Sequence, residues 1–151
     1  MKDVSGIKAL GYNSWMEKFY KKYKLLEDGY SVGIISVVLS KILISKTRVV
    51  TISDETLTKN LNHHPDLTVD DYLLLDDIVG KSHFVAKDGK KTVAIVLNRR
   101  NKQLYHYALK ATKSGKGLFL TSFRKTNKIS IDKIRKKDKQ KKVTIIKDNL
   151  P

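Results

Sequence analysis

Cysteine is missing from this 151-residue chain, which excludes disulfides, thiolate chemistry and a zinc ribbon or finger. Acidic residues are scarce and unevenly spread: 15 Asp and Glu face 31 Lys and Arg, a formal net charge of +16, and no carboxylate occurs between Lys90 and Ile131. A solvated surface usually mixes signs, so a one-sign stretch of this length points to a polyanion, either nucleic acid or an anionic membrane surface. Long apolar runs are absent too. The most apolar segment, residues 32–44 (VGIISVVLSKILI), is too short for a hydrocarbon core of about 30 Å and contains Lys41; it is expected as a buried helix. Residues 1–11 lack the apolar core and cleavage site of a signal peptide, so synthesis and folding in the cytoplasm are expected. No Walker loop, GxSxG elbow, HExxH spacing or internal repeat occurs. Gly115-x-Gly117 is too short for a nucleotide cradle, and the His63-His64 pair before Pro65 has no neighbours that make a metal site. Neither a metal nor another cofactor is expected.

What is present fits one α+β domain. Trp15, Phe19 and Tyr23 fall at helical spacing, predicting an amphipathic helix that ends before Gly29, with its aromatic stripe in the core. After the 32–44 segment, TRVVTI at 47–52 reads as a strand, and Ser53 caps a helix that must stop near His63-His64-Pro65. Thr68 with Asp71 starts a second helix, TVDDYLLLDDIV, which Gly80 stops. From His83 the period becomes that of strands. Residues 84–86 and 92–97 flank an Asp88-Gly89 hairpin signal, a turn is expected at 98–101, and the last two strands flank Lys113-Ser114-Gly115-Lys116. The expected fold is therefore N-terminal helices followed by a four-stranded antiparallel β-meander. A short helix around Ile129, Ile131 and Ile134 then leads into a charged tail, RKKDKQKK, that holds phosphates without reading bases.

The last two strands, QLYHYALKATKSGKGLFLTSFRK at 103–125, carry the candidate chemistry. Tyr105, Tyr107, Leu109 and Ala111 share one face; Leu104, His106, Ala108 and Lys110 share the other. On the second strand Phe119, Thr121 and Phe123 alternate with Leu118, Leu120, Ser122 and Arg124. If the turn lays the aromatic faces together, His106, Lys110, Ser122 and Arg124 gather on one surface; a two-residue turn at Ser114-Gly115 mixes the faces, because a one-residue slip turns every side chain over. Histidines that move a proton near neutral pH and fixed cations that hold phosphate suit RNA cleavage without a metal. The proton acceptor is His106, His64 or a helical carboxylate, since these strands have no glutamate. Lys110 and Arg124 can stabilise phosphate charge, and Ser122 or Thr112 can hydrogen-bond a phosphate oxygen.

The block TISDETLTKNLNHHPDLTVDDYLLLDDIV, followed by LYHYALKATKSGKGLFLTSFRKTN, resembles the phage-borne branch of the barnase, EndoU, colicin and RelE-like (BECR) nuclease superfamily, whose domains occur in Mu-like phages and prophages. The resemblance spans about residues 48–128. It divides the chain into a helical segment at 1–47, the nuclease domain, and a short helix with a basic tail at 129–151. It implies a metal-independent endoribonuclease acting by 2'-hydroxyl transesterification. By motif, His64 and Pro65 come from HHP, Lys110 and Thr112 from ALKAT, and Ser122 and Arg124 from TSFR; His106 joins them from its place on the same strand. Lys113, Lys116, Arg99, Arg100 and Lys125 are the accompanying RNA-binding candidates. The absent strand glutamate departs from the barnase pattern. RNA is the expected partner of a monomeric protein in the bacterial host cytoplasm or in a virion, together with an acidic immunity protein or a phage structural protein. The alternative is a virion-associated protein that binds nucleic acid without cutting it. A weaker third reading puts the 32–44 segment and the basic tail on a membrane surface.

Overall fold

A computed structural model of the chain describes residues 13–87, the backbone of 93–100, and residues 103–150. The chain opens with a single 3-10 turn, Ser14–Met16, running into the short helix α1, Glu17–Lys22. The expected aromatic stripe is only partly core: Phe19 and Tyr23 are buried beside Met16, whereas Trp15 is 49% exposed. The helix ends at Tyr23, and the chain turns into two strands, β1 (Leu25–Leu26) and β2 (Gly29–Ile34).

Residues 32–44 are not one helix. The first part belongs to β2, where Tyr30 and Val32 are buried on alternate positions and Ile34 is exposed. Gly33 lets helix α5 (Leu75–Gly80) approach, since a Cβ there would stand 3.1 Å from the Val79 side chain. Ser36 then breaks the strand by capping α2 (Val37–Ile42), its hydroxyl accepting from the Leu39 N–H at 3.1 Å. The apolar run hid a change of period from two to 3.6, which a hydrophobic count does not register.

Strand β3 (Val49–Ile52) precedes α3 (Asp54–His63), capped by Ser53 and ended at His64 before Pro65, as the sequence predicts. The expected 68–80 helix begins at Thr68 with a complete capping box to Asp71. It is interrupted at Leu74, which separates α4 (Val69–Leu73) from α5. Strands β4 (Phe84–Lys87), β5 (Val93–Arg100), β6 (Gln103–Ala111) and β7 (Leu118–Thr126) follow. The Asp88-Gly89 turn lies outside the described residues. Asn98, Arg99 and Arg100 are in strand instead of a turn, with Arg100 paired to Gln103.

The C-terminal segment joins the sheet instead of trailing as a tail. Asn127 caps α6 (Lys128–Lys139), so Arg135 to Lys139 is helical, and β8 (Thr144–Asp148) pairs with β4. Arg135 pins the two together, its Nε donating to Asp148 at 2.8 Å and one terminal nitrogen to the Leu150 carbonyl at 2.9 Å.

Strands β4 to β7 pair antiparallel in chain order, but they are the middle of something larger than a four-stranded meander. The sheet has eight strands in the order β1-β2-β3-β7-β6-β5-β4-β8, and it is mixed because β3 meets β7 in parallel at Thr51 and Phe119. The 47/48 boundary therefore falls between two paired strands, β2 and β3. Where β3 and β7 diverge, α3 completes the ladder: Asn60 accepts the Phe123 N–H at 3.0 Å and donates to its carbonyl at 2.9 Å.

Helices α1 to α5 accompany a large core that includes Tyr105, Tyr107, Leu109 and Ala111 from β6. The opposite face is covered at one end by α6, whose Ile131 and Ile134 pack over Phe84, Ala86 and Leu104. On β7 the buried residues are Leu118, Leu120 and Phe123, which no strict alternation allows. A β-bulge is the reason. Ala108 pairs with Ser122 and Leu109 with Leu120, leaving Thr121 as the extra residue and reversing the faces beyond it.

Candidate nucleic-acid interface

The β6–β7 register decides the site. His106 stands directly opposite Arg124, Ala108 opposite Ser122, and Lys110 opposite Phe119. Directly opposed residues of an antiparallel pair lie on one face, so His106, Lys110, Ser122 and Arg124 share the face away from the main core. The turn between the strands spans Lys113 to Lys116, with the Thr112 N–H donating to the Gly117 carbonyl at 2.9 Å. Near the turn the faces are mixed, with Leu118 and Leu120 on the core side and Phe119 opposite Lys110, and it is the bulge at Thr121 that returns Ser122 and Arg124 to the His106 face.

Helix α6 covers this face only as far as His106. The imidazole is half-buried, and its Nδ1 is inaccessible to solvent with no hydrogen-bond partner among the described residues. Burial holds the His106 pKa down to about 4, helped by the positive charges of Arg124 and of Lys137 on α6. Near neutrality it is an uncharged ring with an acceptor nitrogen, flanked by two cations. An unpaired buried polar atom is costly, about 1–3 kcal/mol, and calls for a physical reason. Beyond α6 the face is open: Lys110 is exposed, and Ser122 and Arg124 are partly so. Lys110 lies four residues from His106 along β6, about 13 Å at strand spacing. It therefore serves a neighbouring phosphate instead of the one beside His106.

Four expected site residues go elsewhere: His64, Lys125, Thr112 and Arg100. His64 ends α3, and the chain just after it is reached from the sheet by Lys125, which pairs with Asp71 at 3.3 Å and approaches the Asp66 carbonyl at 3.5 Å. Lys125 lies opposite Tyr105 in register and so belongs to the helix-covered face, where it neutralises Asp71. His64 and Lys125 are thus separated from His106 by the sheet. Thr112 is committed to the turn, accepting the Gly117 N–H at 3.0 Å. Arg99 pairs with Leu104, which gives it a register position on the His106 face, while Arg100 pairs with Gln103 on the other; their side chains lie outside the described residues. Lys113 and Lys116 stand exposed on the turn. Lys137 was missed because its position depends on α6 folding back over the sheet.

Among the described residues no group of three or more His, Cys, Asp or Glu is placed to hold a metal ion, and no helix is long and apolar enough to cross a membrane. No family model, curated protein or solved structure matches the chain.

Proposed function

We propose that this chain is a metal-independent endoribonuclease of a Mu-like phage or prophage, working on the open face of β6 and β7. The observation that carries the reading is His106 directly opposite Arg124, with Ser122 two pairs along on the same face and the imidazole Nδ1 left unpartnered. A phosphodiester laid against Arg124 and Ser122 supplies the missing negative charge. Burial is the larger cause of the lowered His106 pKa, but the phosphate's charge offsets the part due to Arg124 and Lys137 and so raises the proton affinity of the imidazole. In the reaction the 2'-oxygen attacks the adjacent phosphorus as His106 takes its proton, and the P–O5' bond breaks with the departing 5'-oxygen protonated by water. The products are a 2',3'-cyclic phosphate and a 5'-hydroxyl end. Arg124 faces the charge that develops on phosphorus-bound oxygens, and Lys110 holds the next phosphate.

A second reading, binding of nucleic acid without cleavage, is favoured by one feature: His106 is the only side chain on the described part of this face suited to proton transfer near neutral pH, leaving the departing oxygen without a protein acid. One experiment separates them. Wild type, His106→Ala and Arg124→Ala are incubated with a short labelled RNA in EDTA, and the ends are analysed. Cleavage to cyclic-phosphate ends that both substitutions reduce by 100-fold or more supports the enzyme. RNA retained in a gel shift but left intact by wild type refutes it and leaves the binding protein. In a host cell either protein works in the cytoplasm or travels in the virion, and a cationic nuclease would be held in check by an acidic partner.

A further inference from the structure

Away from the His106 face, a pocket of about 560 Å³ opens between the end of α2 and the β6–β7 turn. Lys41, Lys46 and Lys113 line it, and none is paired with a carboxylate among the described residues. Three like charges around one concavity repel one another, and only an anion relieves that.

The loop that builds this wall is rigid. Helix α2 ends in a Schellman arrangement, with the Ser45 N–H on the Ser40 carbonyl at 2.9 Å and the Ile44 N–H on the Lys41 carbonyl at 3.1 Å. The residue that must adopt positive φ is Ile44, at 55°, where glycine or asparagine is the usual occupant. A β-branched residue held in that conformation is strained, and such strain gathers at functional positions. Two residues on, the chain is tied across to the turn, Lys46 N–H to the Gly115 carbonyl at 2.7 Å. Lys46 and Lys113 are thereby fixed on facing walls.

The donors left over define the ligand. The Ser40 and Ser45 hydroxyls already donate to the Val37 and Thr47 carbonyls, both at 2.7 Å, and the N–H groups of Leu43, Ile44, Ser45 and Lys46 are used internally. Recognition falls to three ammonium groups, with Ser114 as the hydroxyl nearest to hand. Ammonium groups are point charges with no planar fork, suited to phosphate and indifferent to base identity. The pocket lies at the C-terminal end of a helix, which disfavours an anion, but that end is capped and Lys87 donates to the Ile42 carbonyl at 3.3 Å.

We infer that this pocket is a second phosphate site, which holds the backbone of a single-stranded RNA as it runs from the His106–Arg124 pair past Lys110 to the β6–β7 turn. The inference rests on the proposed function for the identity of the polyanion. The span along β6 from His106 to Ala111 is about 17 Å before the turn is counted, so only an oligonucleotide of several residues reaches both ends.

Binding of 2'-O-methyl oligonucleotides, which cannot be cut by this chemistry, tests it at lengths of three and eight. Wild type is expected to bind the eight-mer much more tightly than the three-mer. Lys41→Ala/Lys46→Ala/Lys113→Ala should lose at least ten-fold affinity for the eight-mer and less than two-fold for the three-mer. Its salt dependence should fall by about two in log–log slope, from roughly 0.7 per phosphate contact on a single strand. A control removing three charges elsewhere, Lys18→Ala/Lys21→Ala/Lys59→Ala, should keep the length effect. Equal losses for both lengths, equal losses in the control, or no loss at all overturns the site. Because nothing is cut, a protein without nuclease activity that shows the length effect refutes the enzyme and leaves the pocket standing.

Discussion

The two faces of the β6–β7 ladder come from the same nine-residue strands and differ in how they treat polar atoms. On the helix-covered face every tyrosine of the core is satisfied: Tyr105 donates to Asp71 at 2.5 Å, Tyr107 to the Ile78 carbonyl at 2.9 Å, and Tyr72 receives Asn60 at 2.8 Å. Its one strand cation, Lys125, meets Asp71. On the other face a histidine nitrogen is buried without a partner, and three cations gather without a carboxylate among the described residues. A face that closes every bond is built for stability, whereas a face that leaves charge and acceptor unanswered carries a cost that ligand binding can recover.

That contrast is broken most severely at Asn60. Its amide joins α3 to β7 through two bonds, to the Phe123 N–H and carbonyl, and to α4 through a third, to the Tyr72 hydroxyl. Asn60→Ala leaves a buried backbone pair unsatisfied, at about 3 kcal/mol or more. Urea unfolding should show that loss, while nucleic-acid affinity of the folded protein stays within two-fold.

His106 is expected to behave in the opposite way. His106→Leu removes an unpartnered buried nitrogen and should leave stability unchanged or raise it by about 1 kcal/mol, while cleavage disappears. The pH dependence sharpens this. In the unfolded chain the ring titrates near 6.5, but in the folded protein burial and the cations hold it to about 4. Below pH 6.5 the unfolded state therefore binds a proton that the folded state refuses, and stability falls as pH drops from about 6.5 toward 4. The loss should reach about 2 kcal/mol, allowing for partial exposure of the ring. His106→Leu should flatten the stability profile across that window. An unchanged profile would mean the ring is not held neutral. Asp71 contributes separately and lower down. Burial pushes its carboxyl up, but the Thr68 N–H, the Tyr105 hydroxyl and Lys125 outweigh that and hold it below the usual range, so its contribution is lost only in stronger acid.

The reach of the sequence follows the same division. The capped starts at Ser53 and Thr68, the stop before Pro65 and the alternation along β6 are local signals, and each has its structural counterpart. The alternation that puts His106 and Lys110 on one face of β6 is local, but Ser122 and Arg124 join them only because of the bulge at Thr121. What was hidden depended on contacts far along the chain. Nothing local marks Thr121 as a bulge, β2 as a strand within an apolar run, or α6 as cover for β4. His64 stood beside His106 as an alternative proton acceptor because motif order does not say on which side of a sheet a helix ends.

The smallest expected effects lie where the two halves of the chain meet, at Ile44 and Gly115, and they have opposite signs. Gly115 sits at φ 75° with a Cβ position 3.1 Å from the Ile44 carbonyl, so Gly115→Ala adds both backbone strain and crowding and should cost about 1–2 kcal/mol. Ile44 occupies the same left-handed region with a side chain that is 69% exposed and contributes no core packing. Ile44→Gly relieves its strain and should stabilise by up to about 1 kcal/mol, net of the freedom glycine adds to the unfolded chain. Thermal unfolding of the two variants should bracket wild type. If Ile44→Gly also weakens eight-mer binding while raising the melting temperature, the strain at Ile44 is what holds Lys46 in place; if binding is unchanged, the strain belongs to the helix end alone.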